Sequence, residues 1–322
     1  VDMRLAYEFF SRIHSGTRLV LIGDVDQLPS VGPGNVLKDM IRSQRLKVVR
    51  LEHIFRQAQE SAIIMNAHRI NHGEEPVLNA AGTDFFFVKR MFGEDVVHTI
   101  QDLILTRLPR FTGCNGLQDM QVLTPMRKGL LGVQHLNKVL QQALNPPAPD
   151  KQEKEFRQTI FREGDKVMQM KNNYNLGWRV YSAMGKRSDE GVGVFNGDAG
   201  MIRRIDDDQE MMQVVFDDGK IVDYEFSQIE ELDLAYAITI HKSQGSEYPV
   251  VIIPVHSGPS LLMTRNLLYT AVTRAKQLVV LVGIAETISA MVHNDREVGR
   301  YTGLAVRIQH LYDFMQEAGT EA

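Results

Sequence analysis

Apolar runs of strand length that alternate with helical segments restrict the fold of this chain more than any other feature. The runs lie at 18–23, 46–51, 85–88, 121–124, 235–240, 250–254 and 277–282. Helical patterns separate them, among others at 95–107, 133–143 and 267–276. Strands that are buried on both faces and alternate with helices are typical of a parallel sheet. The pattern therefore predicts an α/β fold built on parallel sheets.

A different pattern interrupts this rhythm. The breaker cluster from Asn145 to Pro149 and the charged residues at 150–155 indicate a linker. From 159 to 230 the chain has short strands separated by glycine turns, which predicts a small β-barrel. We therefore predict three units. They comprise residues 1–75, a second α/β domain made of 76–150 and 232–322, and a barrel inserted at 151–231.

Composition sets the broad class. The chain has 322 residues, of which 43% are hydrophobic and 24% are charged, as in globular proteins of two or more domains. Its apolar runs are shorter than the roughly 20 residues of a membrane span, so no membrane contact is expected. A single cysteine, Cys114, and a first segment unlike a signal peptide favour a reducing, bacterial-type cytoplasm. The net charge of -4 neither shows nor excludes nucleic-acid binding, because such binding depends on a local basic groove.

Two polar segments follow the first two predicted strands. Asp24 and Gln27 lie in the loop 23–34, at the strand edge where open parallel sheets bind ligands. They could reach a phosphate, a metal-bound water or a neighbouring domain, and an ordinary turn is the alternative. Arg56 lies in the segment 51–57 and could stabilise the charge of a transferring phosphoryl group. A surface salt bridge is the alternative for Arg56.

Two further polar segments occur near the C-terminus. The residues from His241 to Gln244 place four polar side chains in one turn, and Gly245 then permits close approach of the backbone to a ligand. The segment 266–276 has the pattern of a helix whose apolar positions would lie in a core. Arg274 is a charged residue among these apolar positions, and it is therefore a candidate catalytic or ligand-binding residue.

In this order and spacing, the four segments resemble motifs III to VI of superfamily-one helicases, and most closely the RecD/TraA family. The resemblance extends to 123–129, 136–137, 161–167 and 194–198, so it covers nearly the whole chain. It implies two RecA-like domains, the first only partial here, that clamp ATP and move 5′ to 3′ on single-stranded DNA. It also implies that the barrel at 151–231 is SH3-like and lies beside the DNA.

The resemblance assigns roles to individual residues. Gln27 would sense the γ-phosphate, and Arg56 and Arg274 would contact the phosphates. Asp24, Gly245 and Glu247 would lie at the nucleotide. The residues implied to face DNA or to couple it to the nucleotide are Ser30, Thr124, His241, Lys242, Ser243 and Gln244. The implied partner is single-stranded DNA or a duplex with a single-stranded tail, and no oligomer is implied.

Four residues of the predicted barrel offer charge or stacking surfaces to DNA. They are Lys166, Lys171, Tyr174 and Trp178. Bases of single-stranded DNA stack on aromatic side chains, although aromatic residues of small barrels are more often core. The stretch 178–191 is extra length relative to the family pattern, and we assign it no role.

One expected element is absent from the sequence. ATP hydrolysis in this family needs a G-x-x-x-x-G-K-[ST] loop and an acidic strand end that holds Mg²⁺, and the 322 residues contain neither. We therefore expect that the chain begins just downstream of its own magnesium site and does not turn over ATP by itself. The alternative is a non-enzymatic DNA-binding or protein-docking module. A two-metal nuclease is disfavoured, since no suitable Asp/Glu/Lys cluster occurs.

Overall fold

A computed structural model describes residues 1–51, 60–80, 82–182, 186–296, 300 and 302–320. The α-helices are α1 (Met3–Phe10), α2 (Val36–Arg42), α3 (Ala62–Asn71), α4 (Gly93–Asp102), α5 (Leu108–Thr112), α6 (Val133–Leu144), α7 (Arg265–Val272), α8 (Ala285–His293) and α9 (Leu304–Thr320). A π-helical segment, Leu103–Arg107, joins α4 to α5. Among these described helices, none is both long enough and apolar enough to cross a membrane.

The strands of the described residues form two large sheets and one small one. They are β1 (Phe85–Lys89), β2 (Met120–Thr124), β3 (Glu153–Phe156), β4 (Thr159–Arg162), β5 (Lys166–Gln169), β6 (Asn173–Tyr181), β7 (Arg187–Val194), β8 (Ala199–Asp206), β9 (Met211–Phe216), β10 (Ile221–Glu225), β11 (Leu232–Leu234), β12 (Ala237–Thr239), β13 (Tyr248–Val255) and β14 (Ala275–Gly283).

The first large sheet is wholly parallel, with strand order β1-β14-β13-β2-β12. Alternate residues of its strands point to opposite faces. Val250 and Ile252 lie in the core with α4 and α6, whereas Val251 and Ile253 lie in the core with α3, α7 and α8. Both faces are thus covered by helices, and the prediction of a buried parallel sheet is confirmed.

The second large sheet is the predicted insertion. Its order is β11-β5-β8-β9-β10-β6-β7, and every neighbouring pair is antiparallel. Ile202 and Val214 from this sheet lie in the same core cluster as α4 and α6, so the insert and its host share one core. Strand β11 pairs with β5, and the insert's sheet therefore extends to Leu234, beyond the boundary predicted at 231.

The described residues of the extra stretch, 178–182 and 186–191, belong to the strand pair of β6 and β7 at the end of this sheet. Trp178 lies opposite Gly191, and a Cβ atom at Gly191 would lie 2.5 Å from the Trp178 ring. Trp178 is partly buried and lies 5.2 Å from the Lys220 ammonium, measured to the ring centroid. Its ring therefore contributes to the packing of this strand pair.

A buried carboxylate joins the insert to its host. Asp165 is fully buried and accepts hydrogen bonds from Gln141 Nε2 (2.6 Å), Asn145 Nδ2 (2.7 Å), the Tyr236 hydroxyl (2.7 Å) and the Arg162 backbone N–H (2.7 Å). Burial raises the pKa of Asp165, and these hydrogen bonds oppose the rise. Helix α6, the start of the insert and the segment just after β11 thus meet at one side chain.

Lys166, predicted to offer charge to DNA, is buried, and that prediction is wrong. Strand β5 lies between β11 and β8 and all four of its residues are buried. The Lys166 ammonium donates to the Met120 carbonyl at 3.3 Å. Burial lowers the pKa of Lys166 from its ordinary value of 10.5 to about 8, although the carboxylates of Asp217 and Asp119 oppose the change.

This buried lysine predicts a pH dependence of stability. Between the two pKa values the unfolded chain holds a proton that the folded chain has released, so stability rises with pH in that window. We expect the free energy of unfolding to include a Lys166 contribution that grows by roughly 2 kcal/mol between about pH 7.5 and about pH 9.5. Urea unfolding at both pH values should show that Lys166→Met removes this increase. The exposed Lys171→Met variant should retain it, and equal pH slopes in both variants would contradict the assignment.

The apolar runs at 18–23 and 46–51 are not strands, so these two predictions are wrong. Val20, Ile22, Val49 and Leu51 are 74%, 94%, 76% and 95% exposed. A strand needs a neighbouring strand to satisfy its backbone, and no part of the described chain forms a ladder with either run. Residues 1–51 contribute α1 and α2, with extended segments and loops between them. The α/β fold with an inserted β domain is confirmed, but the described residues of 1–75 form no sheet of a first RecA-like domain.

Candidate functional site

Three of the four predicted segments meet where the loop after β12 approaches β13 and where α7 leads into β14. The Gln244 side chain donates from Nε2 to the Leu28 carbonyl at 2.5 Å, which joins the polar loop after β12 to the loop 23–34. The Leu28 N–H donates to the Thr270 hydroxyl of α7 at 2.9 Å. The fourth segment contains Arg56, which lies at 52–59, outside the described residues.

Asp24 holds the side chain of Gln27. Its Oδ2 atom accepts from Gln27 Nε2 at 2.9 Å and from the Tyr269 hydroxyl, also at 2.9 Å. Burial, together with the negative charges of Asp24 and Asp26, raises the pKa of Tyr269. Tyr269 therefore remains a hydroxyl donor at neutral pH, and α7 fixes the orientation of the loop that carries Gln27.

Arg274 is a buried cation just beyond the end of α7, with 7% of its surface exposed. Its guanidinium donates to the Thr270 carbonyl (3.2 Å), the Ser246 carbonyl (3.1 Å) and the Thr273 hydroxyl (3.3 Å). Within the described part of the chain these partners are all neutral oxygens. Because a buried charge without a counter-charge is costly, this environment suits the binding of an anion such as a phosphate.

The polar loop after β12 begins as a short 3-10 helix, Ile240–Ser243. The buried Ser243 hydroxyl donates to the Ile240 carbonyl at 2.8 Å, so Ser243 supports the loop from inside. Gly245 has φ +86°, and a Cβ atom added there would meet nothing within 4 Å. Glu247 is exposed and lies 3.3 Å from the Lys276 ammonium. The backbone at Gly245 is thus accessible, and its approach to a nucleotide stays a prediction.

Other residues were predicted to face DNA or to couple DNA binding to the nucleotide. They differ in how accessible they are to solvent. Thr124 is fully buried and donates to the Leu131 carbonyl at 2.6 Å, so it cannot touch DNA directly and can act only through the loop that it holds. The Ser30 hydroxyl donates to the Gly32 carbonyl at 3.3 Å. His241 is exposed. Lys242 donates from its ammonium to Asn196 Oδ1 in the turn between β7 and β8 of the insert.

Sequence reasoning missed three residues that build the site. Arg300 donates to the carbonyls of Ser30 (2.6 Å), Gly32 (2.5 Å) and Gly34 (2.8 Å), and thereby clamps the loop 23–34 to the C-terminal segment. No local pattern marks this arginine. Tyr269 and Thr270 lie in the predicted helix 266–276 without a predicted role, although two adjacent polar side chains in that apolar helix are a usable signal.

The chain matches three family models along most of its length. Residues 1–85 match an AAA domain, residues 136–216 match the "ATP-dependent RecD-like DNA helicase SH3 domain", and residues 234–282 match the "UvrD-like helicase C-terminal domain". These matches, together with the parallel sheet and its inserted β domain, place the chain among the superfamily-one helicases. Within that class, the chain belongs to the RecD type.

Individual relatives agree with this assignment. The chain is 32% identical over 306 residues to the ATP-dependent RecD2 DNA helicase of Deinococcus radiodurans, which covers 95% of this chain and 38% of that protein. It is 28% identical over 325 residues to the RecBCD enzyme subunit RecD of Mycolicibacterium smegmatis, covering 96% of this chain and 52% of the relative. The chain therefore spans about half or less of each relative. Among solved structures, Bacteroides Pif1 helicase with ADP-AlF3 and single-stranded DNA covers 90% of this chain and 66% of its own, at 18% identity and a TM-score of 0.46.

Proposed function

We propose that this chain is part of an ATP-dependent DNA helicase that moves 5′ to 3′ along single-stranded DNA. The observation that supports this most strongly is the convergence of Gln27, the open backbone at Gly245 and the buried Arg274 guanidinium. A polar amide, an accessible glycine backbone and a buried cation whose described partners are neutral oxygens together suit a polyphosphate. The printed description of the RecD2 relative, an ATP-dependent DNA helicase, supports the choice of ATP and DNA.

In this proposal each residue has a chemical task. Bound ATP supplies the phosphoryl charge and the free energy for movement. Arg274 holds a positive charge where negative charge develops, and Gln27 orients a hydrogen bond toward the terminal phosphate. Asp24 and Tyr269 position Gln27. The described residues contain no group of three His, Cys, Asp or Glu side chains arranged for a metal. Mg²⁺ would be held, in a longer form of the protein, by the acidic strand end that this type of motor uses for it.

The direction of movement rests on the resemblance to the RecD/TraA type. The substrate in this proposal is single-stranded DNA, or a duplex with a 5′ single-stranded tail that allows the motor to load. The contact of Lys242 supports a role of the insert in DNA binding, because Lys242 links the polar loop that follows β12 to the turn between β7 and β8. The inserted domain would then lie against the DNA that the motor moves along.

We expect the 322-residue chain alone to show no DNA-stimulated ATP turnover, because its sequence contains no phosphate-binding loop. A longer form that carries this loop and the acidic magnesium-binding strand end ahead of Val1 should hydrolyse ATP and unwind duplexes with a 5′ tail. Steady-state ATPase assays on both forms, with and without single-stranded DNA, make the comparison. Strand-separation assays on matched 5′-tailed and 3′-tailed duplexes measure the direction.

The outcomes separate the parts of the proposal. DNA-stimulated turnover by the purified 322-residue chain would disprove the expected inactivity. Preference of the longer form for 3′-tailed duplexes would disprove the direction. If the longer form binds DNA but neither hydrolyses ATP nor unwinds, the chain belongs to a DNA-binding module instead of a motor.

A further inference from the structure

Two aromatic side chains of the insert pack against each other on its surface. The rings of Tyr174 and Phe195 are 5.8 Å apart between centroids, at an interplanar angle of 71°. Tyr174 is 66% exposed and Phe195 is 42% exposed. Aromatic side chains of this size normally gain stability by burial, so an exposed pair leaves ring surface available to a ligand.

The surroundings of this pair are polar. Asn172 donates from Nδ2 to the Tyr174 hydroxyl at 3.3 Å, and the Asn196 N–H donates to Asn172 Oδ1 at 2.9 Å. Asn196 in turn accepts from the Lys242 ammonium. The aromatic pair is therefore connected by hydrogen bonds to the loop after β12. That loop also bonds to Leu28 through Gln244, at the candidate nucleotide site.

Positive charge lies at the same place. Lys242 and the exposed Arg127 line one cleft between the loop after β2 and the insert, together with Asp233. Burial lowers the pKa of Lys242, and repulsion from Arg127 lowers it further, while Asp233 opposes this. Two cations that disfavour each other would gain from a bound anion. The surface thus combines ring faces with sites for negative charge.

We propose that Tyr174 and Phe195 form a stacking site for bases of single-stranded DNA, with Lys242 and Arg127 contacting its phosphates. This inference rests on the proposed function and extends it to a defined site on the insert. Aromatic rings beside cations are the combination that binds single strands without regard to sequence. A protein partner is less suitable, because the amides of Asn172 and Asn196 and the Lys242 ammonium border the pair.

The insert cannot simply be removed to test this site, since Asp165 and the core residues Ile202 and Val214 would be lost with it. Point variants of exposed residues avoid this difficulty. We would measure binding to the 322-residue chain by fluorescence anisotropy, with a labelled oligothymidylate and with an abasic strand of equal length. The two probes carry the same phosphates, and only the first has bases.

The Tyr174→Ala and Phe195→Ala variants should each weaken oligothymidylate binding about 10-fold, as expected for the loss of one stacked base. Tyr174→Phe should bind nearly as the parent does, because it keeps the ring. The abasic strand should bind the parent more weakly and be insensitive to either alanine variant. Lys242→Met should weaken binding of both probes and reduce its dependence on salt concentration.

Tyr181→Ala is the matched control. Tyr181 lies at the other end of β6 and is 41% exposed, so its loss removes a comparable ring outside the proposed site. It should leave binding unchanged, and all variants should keep the parent's unfolding midpoint. If the parent binds oligothymidylate and neither alanine variant weakens that binding, the stacking site is wrong while the helicase proposal stands. An equal loss with the abasic strand would also overturn it. If the parent chain binds no single-stranded DNA, both the site and this chain's proposed DNA contact fail.

Discussion

Replacing Arg274 by alanine should lower DNA-stimulated ATP turnover by about 10³-fold or more in a longer form that carries the phosphate-binding loop. The guanidinium is buried among the neutral oxygens of Thr270, Ser246 and Thr273, so its charge is available to a phosphate. Arg274→Lys should recover little of the lost turnover, because a lysine cannot reproduce the planar, forked donor geometry. Steady-state ATPase rates at saturating single-stranded DNA would measure the effect.

A matched control lies at the start of α7, the helix that precedes Arg274. Arg265 begins α7 and donates to the Val292 carbonyl at 2.7 Å, away from the loops that meet at Arg274. Arg265→Ala should keep most of the turnover, even if stability falls. Both variants should bind single-stranded DNA as the parent does. Turnover by Arg274→Ala close to that of the parent would reduce Arg274 to a structural tether of Ser246. The same assay on Arg56→Ala tests the second predicted arginine.

Replacing Asp165 by alanine should reduce the free energy of unfolding by about 3 to 5 kcal/mol. The change removes an acceptor of four hydrogen bonds and leaves the donors of Gln141, Asn145 and Tyr236 buried without it. Asp165→Asn should cost less, since it keeps one carbonyl oxygen. Urea denaturation of the 322-residue chain at neutral pH would give the values.

An exposed carboxylate of the same domain provides the comparison. Asp207 forms a surface ion pair with Lys154 at 3.0 Å, and its loss should cost less than about 1 kcal/mol. A cost for Asp165→Ala as small as that for Asp207→Ala would show that the junction between insert and host is not held by this carboxylate. It would also mean that water replaces the lost acceptor in the variant.

The buried parallel sheet could be predicted because a strand buried on both faces has consecutive apolar residues, which are visible in the local sequence. In β2, β13 and β14, consecutive apolar residues occupy both faces, and the sequence shows this directly. The runs at 18–23 and 46–51 have the same composition but no partner strand among the described residues. Pairing is a property of distant parts of the chain, so local composition could not reveal its absence.

The sequence singled out the segments that meet in the structure where polar side chains are concentrated in one short turn. Asp24, Gln27 and Gly245 each lie in a polar turn, and the structure joins those turns through Gln244. Arg300 was not predictable, because it clamps carbonyls that lie more than 260 residues away in sequence. The prediction for Lys166 was wrong because a lysine is usually exposed. Only the strand order, with β5 between β11 and β8, shows that this strand lies within the sheet.

The unpaired runs of the first 51 residues affect how this chain behaves in a concentrated sample. Their apolar side chains are exposed, and their backbone donors and acceptors belong to no ladder within the described residues. A second copy offers the same groups, and extended apolar segments of this kind are the templates from which intermolecular sheets grow. The fold therefore favours self-association of this chain at high concentration. As the protein concentration rises, a neighbouring molecule can supply the strand partner that the described residues do not provide. Purification and storage at high concentration therefore favour aggregation.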